Sequence, residues 1–181
     1  MAAGPESRAG GGAPPPSVWR VARAILPLPF VATVIVPALI VATDPDAVGS
    51  GGGAQRVAAI AAGAGLIGAG LALFVATVRL FAAVGRGTLA PWDPPRRLVV
   101  RGPYRHLRHP MISGVALILA GEALALASGG IAIWLAVFVG VNALYLPLVE
   151  EPALRRRFGA DYDRYTANVR RWIPRLRPWE N

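Results

Sequence analysis

The sequence predicts an all-α integral membrane protein of about four transmembrane helices, the last two a tight hairpin, with a cytoplasmic helical C-terminal tail. Three observations predict it. Hydrophobic residues make up 54% of the 181-residue chain and charged residues only 16%, with a mean hydropathy of +0.47; a soluble domain carries about a quarter charged residues. The apolar residues gather in four stretches, the first of them near the roughly 20 residues that a crossing requires. The formal charge is +9, and every basic residue is an arginine, placed in clusters between some stretches and not others. The chain has no cysteine, which excludes disulfides, thiolate metal sites and cysteine nucleophiles. Its length allows one compact membrane domain and no second soluble one.

Residues 1–17 (MAAGPESRAGGGAPPPS) are rich in Gly, Ala and Pro and are expected to form a disordered tail, leaving 18–181 as a single domain. They do not read as a secretory signal, because the apolar run begins too late and no suitable cleavage site follows. The first apolar stretch, 24–43, carries Pro27, Pro29 and Pro37, which predicts a broken or kinked helix. Asp44-Pro-Asp46 and the glycines of 49–53 mark a turn. The second stretch, 57–84, is crowded with Ala and Gly. A polar, proline-punctuated segment follows over 85–110. The third stretch, 111–127, turns at Ser128-Gly-Gly130 into the fourth, 131–149, and a polar tail closes the chain over 150–181.

Arginine placement predicts the topology. Arg8, Arg20 and Arg23 precede the first stretch; Arg86, Arg96, Arg97, Arg101, Arg105 and Arg108 lie between the second and third; eight more follow the fourth. The other two connections hold only Arg56. Four spans with all three basic regions on one side satisfy the positive-inside rule and put both termini in the cytoplasm of a multi-pass inner-membrane protein. A basic soluble protein would suggest nucleic acid; here the charge reads as topology, and no nucleic-acid partner is expected.

One motif is a decoy. Gly63-Ala-Gly65-Leu-Ile-Gly68 matches the dinucleotide-binding GxGxxG, but that motif works as a turn between a strand and a helix. Here it lies within a continuous apolar stretch. A face of small residues (Ala61, Gly65, Gly68, Ala69) that lets helices approach closely is the expected structure.

The polar segments carry the chemical signal. Residues 99–114 (VVRGPYRHLRHPMISG) hold both histidines of the chain, with Tyr104, Pro110 and Gly114, directly before an apolar helix. Pro110 suits the first turn of that helix. A basic membrane-surface anchor accounts for the arginines and the tyrosine but not for both histidines. Glu150-Glu151 stand immediately after the last apolar stretch, where carboxylates within hydrocarbon are costly; they could equally face the cytoplasm and pair with Arg155 at helical spacing. Glu122 is thirteen residues beyond His109, about 20 Å along a helix, and is expected to be structural, bonded between helices.

Together these segments resemble the membrane methyltransferase family that includes isoprenylcysteine carboxyl methyltransferases and phospholipid N-methyltransferases. The matching stretches are Arg101-Gly-Pro-Tyr-Arg105, Arg108-His-Pro110 with Gly114, and Glu150-Glu151, then Leu154, Phe158-Gly159, Tyr162, Tyr165 and Arg171-Trp-Ile-Pro174. They cover about residues 86–178. The segment Gly87-Thr-Leu-Ala-Pro-Trp-Asp-Pro-Pro95 also resembles a bacterial branch of the isoprenylcysteine-type group.

The resemblance implies a methyltransferase using S-adenosylmethionine, held between the last two helices and the tail. Tyr104, His109, Pro110, Gly114, Glu150 and Glu151 would bind that cofactor, and Glu151 and Arg171 would be catalytic. Ile112 departs from the family, which often has a tyrosine there, so any aromatic contact from that position is absent.

Methyl transfer from a sulfonium is an in-line displacement for which the protein chiefly aligns the partners. A carboxylate or thiolate acceptor needs no base, whereas an amine must be deprotonated, for which Glu151 or a histidine would serve. Arg105, Arg108 and Arg171 could hold an anionic headgroup or carboxylate, although lipid-headgroup binding is the plainer role for most of the arginines. The expected partners are membrane lipids and a lipophilic or small acceptor. An NADPH-dependent membrane reductase with sterol-reductase-like architecture, or a non-catalytic membrane protein, are the alternatives.

Overall fold

In the computed structural model, residues 26–44, 48–49, 52–84 and 98–180 are described. The expected N-terminal tail, the arginines at 8, 20, 23, 86, 96 and 97, and the stretch 87–95 lie outside the described residues. The described residues form helices α1 (Pro27–Thr43), α2 (Ala54–Val84), α3 (Pro110–Leu126), α4 (Gly129–Phe158) and α5 (Ala160–Asn168), with a 3-10 turn at Gly102–Arg105 and no strand.

Two helices have the length and apolar character of a full crossing, over Ala54–Phe81 and Gly129–Phe158; α1 and α3 are apolar but shorter, at Pro27–Thr43 and Pro110–Leu126. By length, two of the four expected spans are therefore found, since a 17-residue helix rises about 25 Å against a hydrocarbon core of about 30 Å. The apolar part of α4 ends at Val149, and its last turns are charged. Ile133, Leu144 and Leu148 stand mostly exposed along α4, the expected condition of side chains that meet lipid rather than water. Arg79, inside the second apolar stretch and outside the pattern of arginine clusters, is exposed near the end of α2, where its stem can carry the charge to the boundary.

Proline shapes α1 and α4 in the same way. Each contains one π-helical turn, Val31–Ile35 and Leu146–Glu150. The turn closes when Val36 donates its N–H to Val31 O and Glu151 donates to Leu146 O. The next residues, Pro37 and Pro152, have no N–H to continue the ladder. The predicted kink in α1 is this widened turn. Trp134 Nε1 donates to Ala32 O at 2.9 Å, using a carbonyl there to fix α1 to α4. The α3–α4 hairpin turns at Ala127, in the left-handed region at φ +50°, and Ser128 caps α4 by accepting from Ile131 N.

Close helix approach by small residues is observed, but on another face. Gly65 and Gly68 have open space where a Cβ would stand, and Ala61 and Ala69 are exposed. The contact face is instead Gly63, Gly70, Phe74, Thr77 and Phe81, a seven-residue rhythm that keeps one seam turned to α3. A Cβ on Gly63 would lie 2.6 Å from Gly121 O, and one on Gly70 would lie 2.5 Å from Gly114 O. The glycines of α3 meet α2 reciprocally: a Cβ on Gly114 would be 2.9 Å from Gly70 O and one on Gly121 2.5 Å from Gly63 O.

Replacing Gly70 by leucine is therefore expected to lower stability by about 1–3 kcal/mol through overpacking, whereas Gly68→Leu leaves it within about 0.5 kcal/mol. Thermal unfolding in detergent checks the pair; equal effects at both positions would refute the assignment of the contact face.

Candidate active site

The segment before α3 and the C-terminal tail are docked against each other by backbone and side chain. Arg108 N donates to Arg170 O, Arg175 N to His106 O, and Trp179 N to Arg105 O, at 3.0–3.1 Å. Tyr165 donates its hydroxyl to Tyr104 O at 2.8 Å. Tyr162, Tyr165 and Val169 form the buried centre of this unit, covered by Leu98, Val100, Leu154, Phe158 and Trp179. Gly159, at φ +54°, makes the sharp passage from α4 to α5 that folds the tail back, a conformation suited to glycine. Burial pushes the Tyr162 and Tyr165 hydroxyls up, so both remain neutral donors.

At the edge of this unit four predicted residues come together. Glu151, with its side chain 14% exposed, accepts two parallel bonds from Arg171, Nε to Oε1 and Nη2 to Oε2, each 2.8 Å. Arg108 adds Nη1 to Oε1 at 3.3 Å and donates its other groups to Val169 O and Thr166 O. The buried His109 ring lies between the carboxylates, Nδ1 3.5 Å from Glu150 Oε1 and Nε2 3.5 Å from Glu151 Oε1. Those distances are long for hydrogen bonds, and Nε2 makes none.

Opposing effects set the charges. Burial alone would raise Glu151, but His109, Arg171 and Arg108 outweigh it and hold the carboxyl well below the usual carboxylate range. Burial would lower His109, yet the two carboxylates prevail and its pKa is raised. The Arg171 pKa is raised by its bonds to Glu151. Among the described residues, Glu150 meets no arginine, and its side chain is 37% exposed. Its partner is the His109 ring, and it is the more exposed carboxylate of the two.

The other predicted residues serve mainly as packing. Tyr104 stacks edge-on to Phe81, with ring centroids 5.8 Å apart. Pro110 is the buried first residue of α3, and Gly114 abuts Gly70. Arg105 and Arg108 are not left for lipid headgroups: Arg105 donates to Trp179 O at 2.8 Å and pairs with Glu180 at 2.9 Å, and Arg108 is used as described. Ile112 is half-buried. Glu122, expected to bond between helices, has a buried Oε2 with no hydrogen-bond partner among the described residues.

A cavity of about 870 Å³ is lined by chain neighbours of the charge cluster, Leu107, Ser113 and Trp172 among them, and not by Arg108, His109, Glu150, Glu151 or Arg171. Its walls are apolar: Leu73 of α2, Ala116, Leu117 and Ala120 of α3, and Leu135 and Val139 of α4. Its polar edge is made by Arg105, His106 and Ser113, with Trp172, Pro174 and Pro178 of the tail closing it. The Ser113 hydroxyl is buried and unpartnered. Sequence reasoning missed Ser113 and Trp172. The available signal was that Ser113 lies one helical turn beyond His109, with its N–H bonded to His109 O.

An all-helical membrane protein with an amphipathic cavity and a cluster of carboxylates, arginine and histidine is the class that fold and site define. The family model for phospholipid methyltransferases matches residues 58–161, and the chain belongs to that family of membrane methyltransferases. No curated protein and no solved structure matches it. The family match gives no support to a reductase.

The cluster makes stability depend on pH in both directions. Glu151 has a lowered folded pKa, so its contribution is complete above the ordinary carboxylate value of 4.5 and is lost as pH falls towards the folded value. His109 has a raised folded pKa, so its contribution is complete below 6.5 and is lost as pH rises through the folded value. The melting temperature in detergent should therefore peak between these limits. Glu151→Gln should cost about 2 kcal/mol there and remove much of the acid-side decline; an unchanged acid limb would contradict the assignment.

Proposed function

We propose that this chain is an S-adenosylmethionine-dependent methyltransferase that moves a methyl group to a lipophilic or small acceptor bound in the cavity. The observation that carries this reading is the junction, in a member of a methyltransferase family, of apolar helix walls with a polar edge made by Arg105, His106 and Ser113. An amphipathic acceptor matches such a site: its apolar body is covered by α3 and α4, and its reacting end lies at the polar edge.

The residues present fit the cofactor. It carries hydroxyls and ring nitrogens that need partners, and the orphaned Ser113 hydroxyl supplies one. Its cationic centre needs a carboxylate open to the outside, and Glu150, whose side chain is 37% exposed beside the His109 ring, supplies that. When bound, S-adenosylmethionine provides an activated methyl group for in-line displacement. The chain's own residues then position and exclude water. Arg171 and Arg108 fix Glu151, Glu151 and Glu150 fix the His109 ring, and the tail covers the polar edge. In this reading His109, Glu150 and Ser113 hold the cofactor. Tyr104, Pro110 and Gly114 shape the site through packing, and Arg171 and Glu151 act as positioning residues.

In the proposed topology α1 to α4 all cross or enter the membrane within one domain, 18–181, with both termini and both polar segments in the cytoplasm. The arginine distribution supports this. It places the site on the side where S-adenosylmethionine is made and lets an apolar acceptor arrive from the bilayer of the inner membrane.

Purified protein in detergent is expected to bind S-adenosylmethionine in calorimetry. At about a hundred times Kd the ligand should stabilise the fold by about 2.7 kcal/mol, and NADPH should give no such protection. Labelled methyl should pass from S-adenosylmethionine into the lipid-soluble fraction of an extract. Absence of both binding and transfer would overturn the proposal.

A further inference from the structure

We infer that the outer face of the C-terminal strap, Ile173 and Leu176 with Arg170 and Arg177 around them, seats in the anionic lipid surface of the membrane that the helices enter. This holds whatever molecule the cavity takes. Residues 169–180 form no helix and cross the segment before α3, pinned to it at two points. Arg175 N donates to His106 O at 3.0 Å, and His106 Nδ1 lies 2.7 Å from Arg175 O. Trp179 N donates to Arg105 O at 3.0 Å, and Arg105 Nε donates to Trp179 O at 2.8 Å. Each pinned residue follows a proline, Pro174 or Pro178, whose fixed φ stiffens the strap.

The side chains of the strap sort by face. Trp172, Pro174 and Pro178 close the cavity, whereas Ile173 is 61% and Leu176 100% exposed. Leu176 is the most exposed large hydrophobic residue among those described. Other large apolar residues of the tail, Leu154, Phe158 and Trp179, pack on Tyr162, Tyr165 and Val169. The exposure of Ile173 and Leu176 instead matches that of Leu144 and Leu148, which stand along α4 where side chains meet lipid.

Position selects a lipid surface over a soluble partner. His106 is four residues before Pro110, the first residue of α3, so the strap lies at the end of a helix that enters the membrane. Charge selects anionic lipid. Arg170 and Arg177 are exposed on either side of Ile173 and Leu176, and Arg101 is exposed on the segment that the strap crosses. The carboxylate of the strap, Glu180, is taken by Arg105 at 2.9 Å. An apolar tip between guanidinium groups has the composition of an interfacial anchor, whose apolar side chains enter the acyl boundary while its cations stay at the phosphates. The bilayer thereby holds in place the wall that the tail supplies to the cavity.

A chain without cysteine accepts a single label on otherwise native, full-length protein. Leu176→Cys and, on the exposed face of α5, Ala167→Cys carry an environment-sensitive fluorophore in nanodiscs of phosphatidylcholine and phosphatidylglycerol in equal parts. Some discs include lipid with a nitroxide near the headgroup. The label at 176 should emit to the blue of the label at 167. It should be quenched about twofold more by the nitroxide and about twofold less by aqueous iodide. Both side chains are exposed, so neither substitution disturbs packing, and Ile173→Cys gives a second reading of the same face. In discs of phosphatidylcholine alone, or with R170Q and R177Q together in mixed discs, nitroxide quenching at 176 should fall towards that at 167. The inference is overturned if iodide reaches 176 as readily as 167, or if nitroxide quenching is the same with and without phosphatidylglycerol. A label at 176 shielded from iodide yet untouched by the nitroxide would mark a protein surface there, a second copy of the chain included, and would overturn it equally.

Discussion

The site depends on one carboxylate. Glu151 accepts both arms of Arg171, a further contact from Arg108, and the proximity of His109. These partners come from the tail and from the segment that leads into α3, so one side chain joins the end of α4 to the rest of the polar half. Charges this deep cost several kcal/mol each to desolvate. The cluster is tolerable because Glu151 is saturated with donors and Arg108 uses two backbone carbonyls for its remaining groups. Its neighbour Glu150 has the His109 ring beside it and a more exposed side chain. Two adjacent carboxylates are thus placed differently, one locked among arginines and one at the open edge.

That division depends in turn on backbone geometry. Adjacent residues on a regular helix point about 100° apart, yet Glu150 and Glu151 both face the same imidazole. The π turn at Leu146–Glu150, which ends against Pro152, widens the helix just before the pair. Such turns recur at functional sites because they redirect a few side chains without ending the helix. The glycine contacts between α2 and α3 have a complementary effect. Backbones meeting at Gly63–Gly121 and Gly70–Gly114 hold α3 rigidly on one side, so the residues opposite, Ser113, Ala116 and Ala120, are free to line a cavity.

The helical class and the hairpin were legible in the sequence, because apolar run length and turn residues are local signals; that His109 shares a site with Glu150 and Glu151 was implied by the family resemblance alone. Which face of α2 makes contact was not. Gly63, Gly65, Gly68 and Gly70 are equivalent as letters, and only a partner of matching rhythm, Gly114 and Gly121, selects the pair that is used. The extent of the third stretch was legible too: 111–127 was expected, and α3 runs Pro110–Leu126. The roles of Arg105 and Arg108 were hidden for another reason. An arginine bound to a backbone carbonyl sixty residues away has the same sequence signature as one left in water.

The arginines therefore divide by their partners, and the division changes what the excess charge means. Arg156 and Arg164 stand exposed on α4 and α5, where they can meet anionic headgroups, whereas Arg155 pairs with Asp163 at 2.6 Å. Arg105, Arg108 and Arg171 are bound internally, and each ties the tail to the segment or helix end that frames the cavity. A guanidinium suits that task because its donors form a planar fork, so one residue can hold a carboxylate and a carbonyl together in fixed geometry. Lysine would keep the same net charge and the same topological signal, yet lose the parallel bonds of Arg171 to Glu151. The charge excess could have been built from either residue; the docked tail needs arginine.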